Sequence, residues 1–234
     1  MLISGIRWRL FLTCWIIYVI HFATDFVREH YLVVSIVEDH TFRLDPYADL
    51  HVDLFWNPDS APHKGAHHGA NPGISFVGAL PYFLLKPAVD VAVNQALAGR
   101  KLHADTTVRY DDPRWRRVEF YKKVYQRGLD VRFGLVAAIT QVFAQAPLTA
   151  LSVVILFGVL VLMGLSQGQA IGLSLLYAFG TPVFFRTGYL NQNVSMGIFS
   201  LFALVLLWDP GGRSRRRPGL DYLAGDRHPR GYRP

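Results

Sequence analysis

The chain has 234 residues, of which 51% are apolar and 18% charged, with a formal net charge of +7. The apolar residues are gathered into long runs rather than spread over one core, which excludes an ordinary soluble domain and indicates a polytopic membrane protein. The basic residues flank those runs, so they set orientation in a bilayer rather than form a nucleic-acid surface, and the single cysteine, Cys14, excludes a disulfide framework.

Arg7 and Arg9 precede the first apolar run, residues 10–23. His21-Phe22-Ala23 makes a poor small-x-small cleavage site, so the run reads as an uncleaved anchor. The stretch 24–73 is too long for an ordinary connection. It carries Phe26, Tyr31, Val33, Val37, Leu54 and Trp56, side chains a solvating tail lacks, and is expected to fold as an extramembrane cap. The next run, 73–85, is too short to span at about 1.5 Å per residue, so it must continue past Lys86 and Asp90 to residue 93. Those two charges are four apart on one helix face and read as an interfacial pair.

Residues 99–130 hold nine Lys and Arg against five acids, whereas the cap holds Arg28, Arg43 and Lys64 against eight acids. Counting Lys and Arg therefore places the N-terminus and the 99–130 block in the cytoplasm and the cap outside. Trp115 and Tyr121 suggest that part of the block lies against headgroups. Gln141, Gln145 and Pro147 predict a helix break that divides 131–165 into a hairpin of 131–146 and 148–165. The runs 170–185 and 194–208 follow, joined by a polar turn at 186–193 on the same side as the cap. The expected fold is an all-α polytopic membrane protein with about six transmembrane helices and an external cap between the first and second. Residues 209–234 are rich in Arg, Pro and Gly and are expected to be disordered. So abrupt a change of composition also predicts a truncated chain or a shifted frame.

Candidate chemistry lies at both ends of the cap. If Thr24 caps a helix beginning at Asp25, then Asp25, Arg28 and Glu29 share one of its faces. A carboxylate held there beside an arginine can act as a general base toward an acceptor, with the arginine available to a phosphate. The plainer alternative is that Asp25 ends a span and Arg28 neutralises it. Before the second span, His63, Lys64, His67 and His68 offer either a divalent-metal site or a phosphate-contacting rim. Asp45, Asp49 and Asp53 read as a solvated face.

These parts resemble the N-terminal module of GT-C glycosyltransferases such as the protein mannosyltransferases and the lipid A aminoarabinose transferases. The matching stretches are Asp25-x-x-Arg28, SIVEDHTFRLDPY, Asn71-Pro72-Gly73-Ile74-Ser75 and YAFGTPVFFRTGYLNQN. Phe26 stands where the family commonly has Glu, and Asn191, Gln192 and Asn193 where it often has an acid. The resemblance implies a bacterial inner-membrane protein that moves a sugar from a polyprenyl-phosphate donor to an acceptor on the external face. It makes Asp25 the catalytic base, and Arg28, Lys64, His67, His68, Arg186 and Asn191 the residues facing substrate or a divalent metal. The rival expectation is a non-catalytic polytopic protein, an assembly subunit or truncated pseudo-enzyme, whose cap binds a partner.

Overall fold

The structure is a computed structural model that describes residues 2–23, 26–50, 54–57, 64–103 and 113–208. Asp25, His63, Asp53 and the tail expected to be disordered lie outside the described residues. What is described is mostly helical, with one two-stranded antiparallel sheet. Two helices, Gly73–Lys101 and Asp130–Leu162, are long and apolar enough to cross a membrane.

The chain opens with α1 (Leu2–Ile20). The cap follows, and its helix α2 (Arg28–Val34) starts three residues later than the sequence suggests. Val27 is extended there, and the ring of His30 reaches back to accept the Val27 N–H at 3.1 Å, the backward half of a capping box that ties down the start of the helix. A π-turn at Ser35–Asp39 prolongs α2 until His40, whose left-handed φ of 52° ends it. A 3-10 turn at Asp45–Tyr47 leads to β1 (Phe55–Asn57), which pairs with β2 (Gly65–His67). Asp45 accepts the Ala66 N–H at 2.7 Å. A Cβ on Gly65, where φ is +124°, would lie 2.4 Å from that carboxylate, so only glycine fits.

The remaining elements are α3 (Gly73–His103), α4 (Trp115–Gln126), α5 (Asp130–Thr140), α6 (Ala146–Leu162), α7 (Gln167–Phe179), α8 (Pro182–Thr187) and α9 (Gln192–Trp208). The expected hairpin at 131–165 is absent: α5 and α6 form one 33-residue helix through a π-turn at Gln141–Gln145. Proline ordinarily breaks a helix because its ring meets the carbonyl one turn back. The wider turn, closed by the Ala146 N–H on Gln141 O, makes room for Pro147 without a reversal.

The packing falls into two layers. α1, α6, α7 and α9 lie side by side around Tyr18, Ala150, Val153 and Phe157, whereas α2, α3, α5 and the cap surround Tyr31, Leu44, Tyr82 and Phe133. Only the α5–α6 helix runs through both. α4 rests on the cap: Arg127 bonds the Asp49 carboxylate at 3.0 Å and the Pro46 carbonyl, and Lys123 reaches Asp49 O at 3.4 Å. The cap and the 99–130 block were expected on opposite faces of a bilayer. Residues that share hydrogen bonds cannot have a bilayer between them, so that separation does not hold.

Candidate functional site

A groove of about 1100 Å³ lies between the cap and α4. The cap contributes Phe26, Val27, Asp49 and Trp56 to its walls, and α4 contributes Arg114, Arg117, Phe120 and Lys123. Cationic and aromatic side chains on one wall suit a ligand with a phosphate and an apolar or sugar face. Phe26 is fixed in that wall by stacking on Phe133, with centroids 4.2 Å apart, and by an edge contact with Tyr31 at 4.8 Å.

The sequence-predicted site residues do not converge. Arg28 is half-buried with its Nε 3.8 Å from the Glu29 carboxylate. Lys64 is exposed at the start of β2. His67 sits in the strand pairing with Phe55, and buried His68 has its Nδ1 3.2 Å from Ala70 O. Among the described residues no three of His, Cys, Asp or Glu gather as a metal site would need. Arg186 is exposed beside a second cavity of about 420 Å³ that Tyr177 and Asn193 also line. Asn191 serves the fold: its side chain accepts the N–H groups of Asn193 and Val194 at 3.1 Å each and so caps α9.

Ala23 N–H donates to Gly188 O at 2.9 Å, which joins the end of the first apolar run to the 186–193 turn. Sequence reasoning missed a network of charges across the cap, α3 and α5. Glu38, in the π-turn after α2, accepts from Tyr82 at 2.6 Å and from Arg132, and lies 3.5 Å from Lys86. Asp90 accepts from Lys86 at 2.6 Å and from Arg132 at 2.9 Å. The spacing of Lys86 and Asp90 gave the pair. Nothing in the sequence gave Glu38 and Arg132, which approach them only through tertiary packing.

His30 was missed as well. It is fully buried and stacks on Phe26 at 4.7 Å, and burial lowers its pKa from 6.5 to about 3. The folded cap thus holds a neutral imidazole, while the unfolded chain takes up a proton below about pH 6.5. Its contribution is intact above that pH and is lost as the pH falls toward 3. At pH 5 the loss should be about 2 kcal/mol relative to neutrality. Thermal melts of purified protein at both pH values should show that drop, and His30→Asn, whose amide oxygen still accepts the Val27 N–H, should flatten it. Asp45, in contrast, is held below the usual carboxylate range chiefly by the Ala66 N–H and then by Arg43.

No protein-family model matches the chain, and neither a curated protein nor a solved structure matches it.

Proposed function

We propose that the chain is a multi-pass membrane protein of glycosyltransferase type, which moves a sugar from a polyprenyl-phosphate donor to an acceptor on the side where the cap lies. We place it in a bacterial inner membrane, with α1 entering from the cytoplasm. The six crossings expected from the sequence become fewer, because residues 131–165 supply one helix rather than two. The observation that carries the reading is the groove between the cap and α4, whose walls bring Arg114, Arg117 and Lys123 together with aromatic rings and the acids Asp49 and Glu119. Arg114, Arg117 and Lys123 have the charge to receive the donor phosphate, and the aromatic rings provide faces for the sugar. Asp25 then takes the proton of an acceptor hydroxyl or amine as that atom attacks the anomeric carbon. The bond from carbon to phosphate oxygen breaks, and polyprenyl phosphate leaves with the electron pair.

Replacing Asp25 by Asn keeps the side chain's size but removes the base. Sugar release from a polyprenyl-phosphate donor should fall by about two decades or more, with insertion and abundance unchanged. A variant turning over at the wild-type rate would sink the assignment. A second reading, a non-catalytic polytopic protein, is favoured by Asn191, an expected substrate contact whose side-chain oxygen instead caps α9. Absence of turnover in the unmodified protein would select it.

A further inference from the structure

We infer that the bilayer crosses only α1, α6, α7 with α8, and α9, and that α3, α4 and α5 stand with the cap on one side of it as a single extramembrane body. The inference rests on the membrane reading alone and is independent of sugar transfer.

The first observation is a common level at which four helices end. Gln141 donates to Tyr18 O at 3.0 Å, Tyr18 donates to Ala178 O at 3.1 Å, and Asn191 N–H donates to Gln145 Oε1 at 3.1 Å. These bonds align the C-terminal end of α1, the π-turn, the end of α7 and the start of α9. At the far end Arg7 lies against Gly158, and Leu201 shares a cavity wall with Leu156. From Gln141 to Leu162 the long helix has 22 residues and α1 has 19, lengths of about 33 and 28 Å against a hydrocarbon core of about 30 Å. The outer faces are largely apolar, with Ile16, Ile17, Leu173, Leu176, Leu204 and Leu207 exposed, and the exposed charges Arg9 and Arg186 lie toward helix ends.

The second observation is what surrounds α3. Length and composition make it a candidate span, but its uncovered apolar stripe of Phe76, Leu80, Phe83 and Leu84 gives way to Lys86. Residues 73–85 cover only about 20 Å. Beyond them Lys86 and Asp90, at the middle of α3, are bound into the network with Glu38 and Arg132. α3 starts level with Thr140, since a Cβ on Gly78 would sit 3.1 Å from it, and then runs away from α6 along α5 to Arg100, which pairs with Asp130. The cap follows its first half: Ser75 donates to Glu29 O at 3.1 Å, Phe42 meets Phe76 at 5.7 Å, and Glu38 meets Tyr82 and Lys86. The cap's turns and short strands expose irregular backbone, which lipid does not tolerate. If α3 and α5 lay in hydrocarbon, the cap would lie there with them.

The basic block does not contradict this. The rule that counts Lys and Arg holds for short loops of up to about 60 residues, whereas long folded segments translocate largely regardless of charge. The stretch from residue 24 to residue 140 is about twice that length. Arg7 and Arg9, in the first half of α1 ahead of its apolar run, are the residues to which the rule applies.

The test is side-specific labelling in sealed inner-membrane vesicles and in spheroplasts with a membrane-impermeant maleimide. Cys14→Ala, at a buried position, provides the background. Single cysteines are placed at exposed positions by Lys64→Cys in the cap, Val91→Cys in mid-α3, Lys122→Cys or Gln126→Cys in α4, and Gly168→Cys between α6 and α7. The first four should react from one face and Gly168→Cys from the other. Lys64→Cys and both α4 variants on opposite faces, or Val91→Cys unlabelled from either face while Lys64→Cys reacts, would overturn the inference. Sugar-transfer activity is a separate readout: an inactive protein with the expected labelling loses the enzymatic reading and keeps this topology.

Discussion

Replacing Phe133 by alanine should destabilise the cap by about 3–5 kcal/mol, the usual range for removing a buried phenylalanine. Phe133 is 3% exposed and is the centre of an aromatic cluster. It stacks on Phe26, and it meets Tyr31 at 5.5 Å and Tyr47 at 5.8 Å, both with steeply inclined rings. The two tyrosines are themselves 5.5 Å apart. Truncation leaves a cavity among rings that are held by the fixed backbones of α2 and α5, so collapse recovers little of the lost contact. Phe133→Leu, which restores part of the volume, should cost less than half as much. The loss should be local. The layer of α1, α6, α7 and α9 packs around residues of its own, so limited proteolysis should cut the cap of Phe133→Ala while that layer stays protected. Because Phe26 walls the groove, any ligand bound there should also be released more readily. Simultaneous cleavage of both layers would mean that they fold as one unit.

Much of the secondary structure was legible in the sequence, because long apolar runs and punctuating glycines and prolines report local chemistry directly. The first apolar run, the cap after residue 23 and the helix α9 fall where those signals place them, whereas the run expected at 170–185 is divided at Gly180 into α7 and α8. Pro147 was legible as a disturbance but not as its outcome. A proline removes one hydrogen bond, and whether the chain reverses or takes a π-turn depends on neighbours such as Gln141, whose side chain binds the distant Tyr18 carbonyl. The start of α2 was displaced for a similar reason: Thr24 is a good capping type, yet the helix starts after Val27, whose N–H the ring of His30 accepts. The contact between α4 and the cap was not legible, because Arg127 and Asp49 are far apart in the chain and meet only through tertiary packing. Among the expected site residues, charge and side-chain type marked Arg28, Lys64 and Arg186 as candidates. They could not show that no single cavity wall holds all three. The groove itself joins residues some 60 to 90 positions apart, such as Phe26 and Arg117, and no local pattern encodes that.

Arg132→Met should cost about 2–3 kcal/mol, and the size of that loss distinguishes a structural clamp from an incidental surface pair. The guanidinium bonds Glu38 and Asp90 and is the direct link between α5 and the cap's π-turn. Its side chain is 20% exposed, with Glu38 at 19% and Asp90 at 32%. An exposed pair is worth less than about 1 kcal/mol, and breaking a fully buried one costs about 3–5, so a network at this depth falls between. Methionine keeps the apolar stem in place but leaves two carboxylates facing Lys86 alone. The penalty therefore comes chiefly from the stranded acids rather than from lost packing. The double variant Arg132→Met/Glu38→Gln should recover about half of the loss, since the amide oxygen still accepts from Tyr82 and one uncompensated charge is gone. A double-mutant cycle on denaturant midpoints in detergent measures this. Strictly additive losses from the two substitutions would show that Arg132 and Glu38 are not coupled, and α5 would then be held to the cap by its aromatic contacts alone.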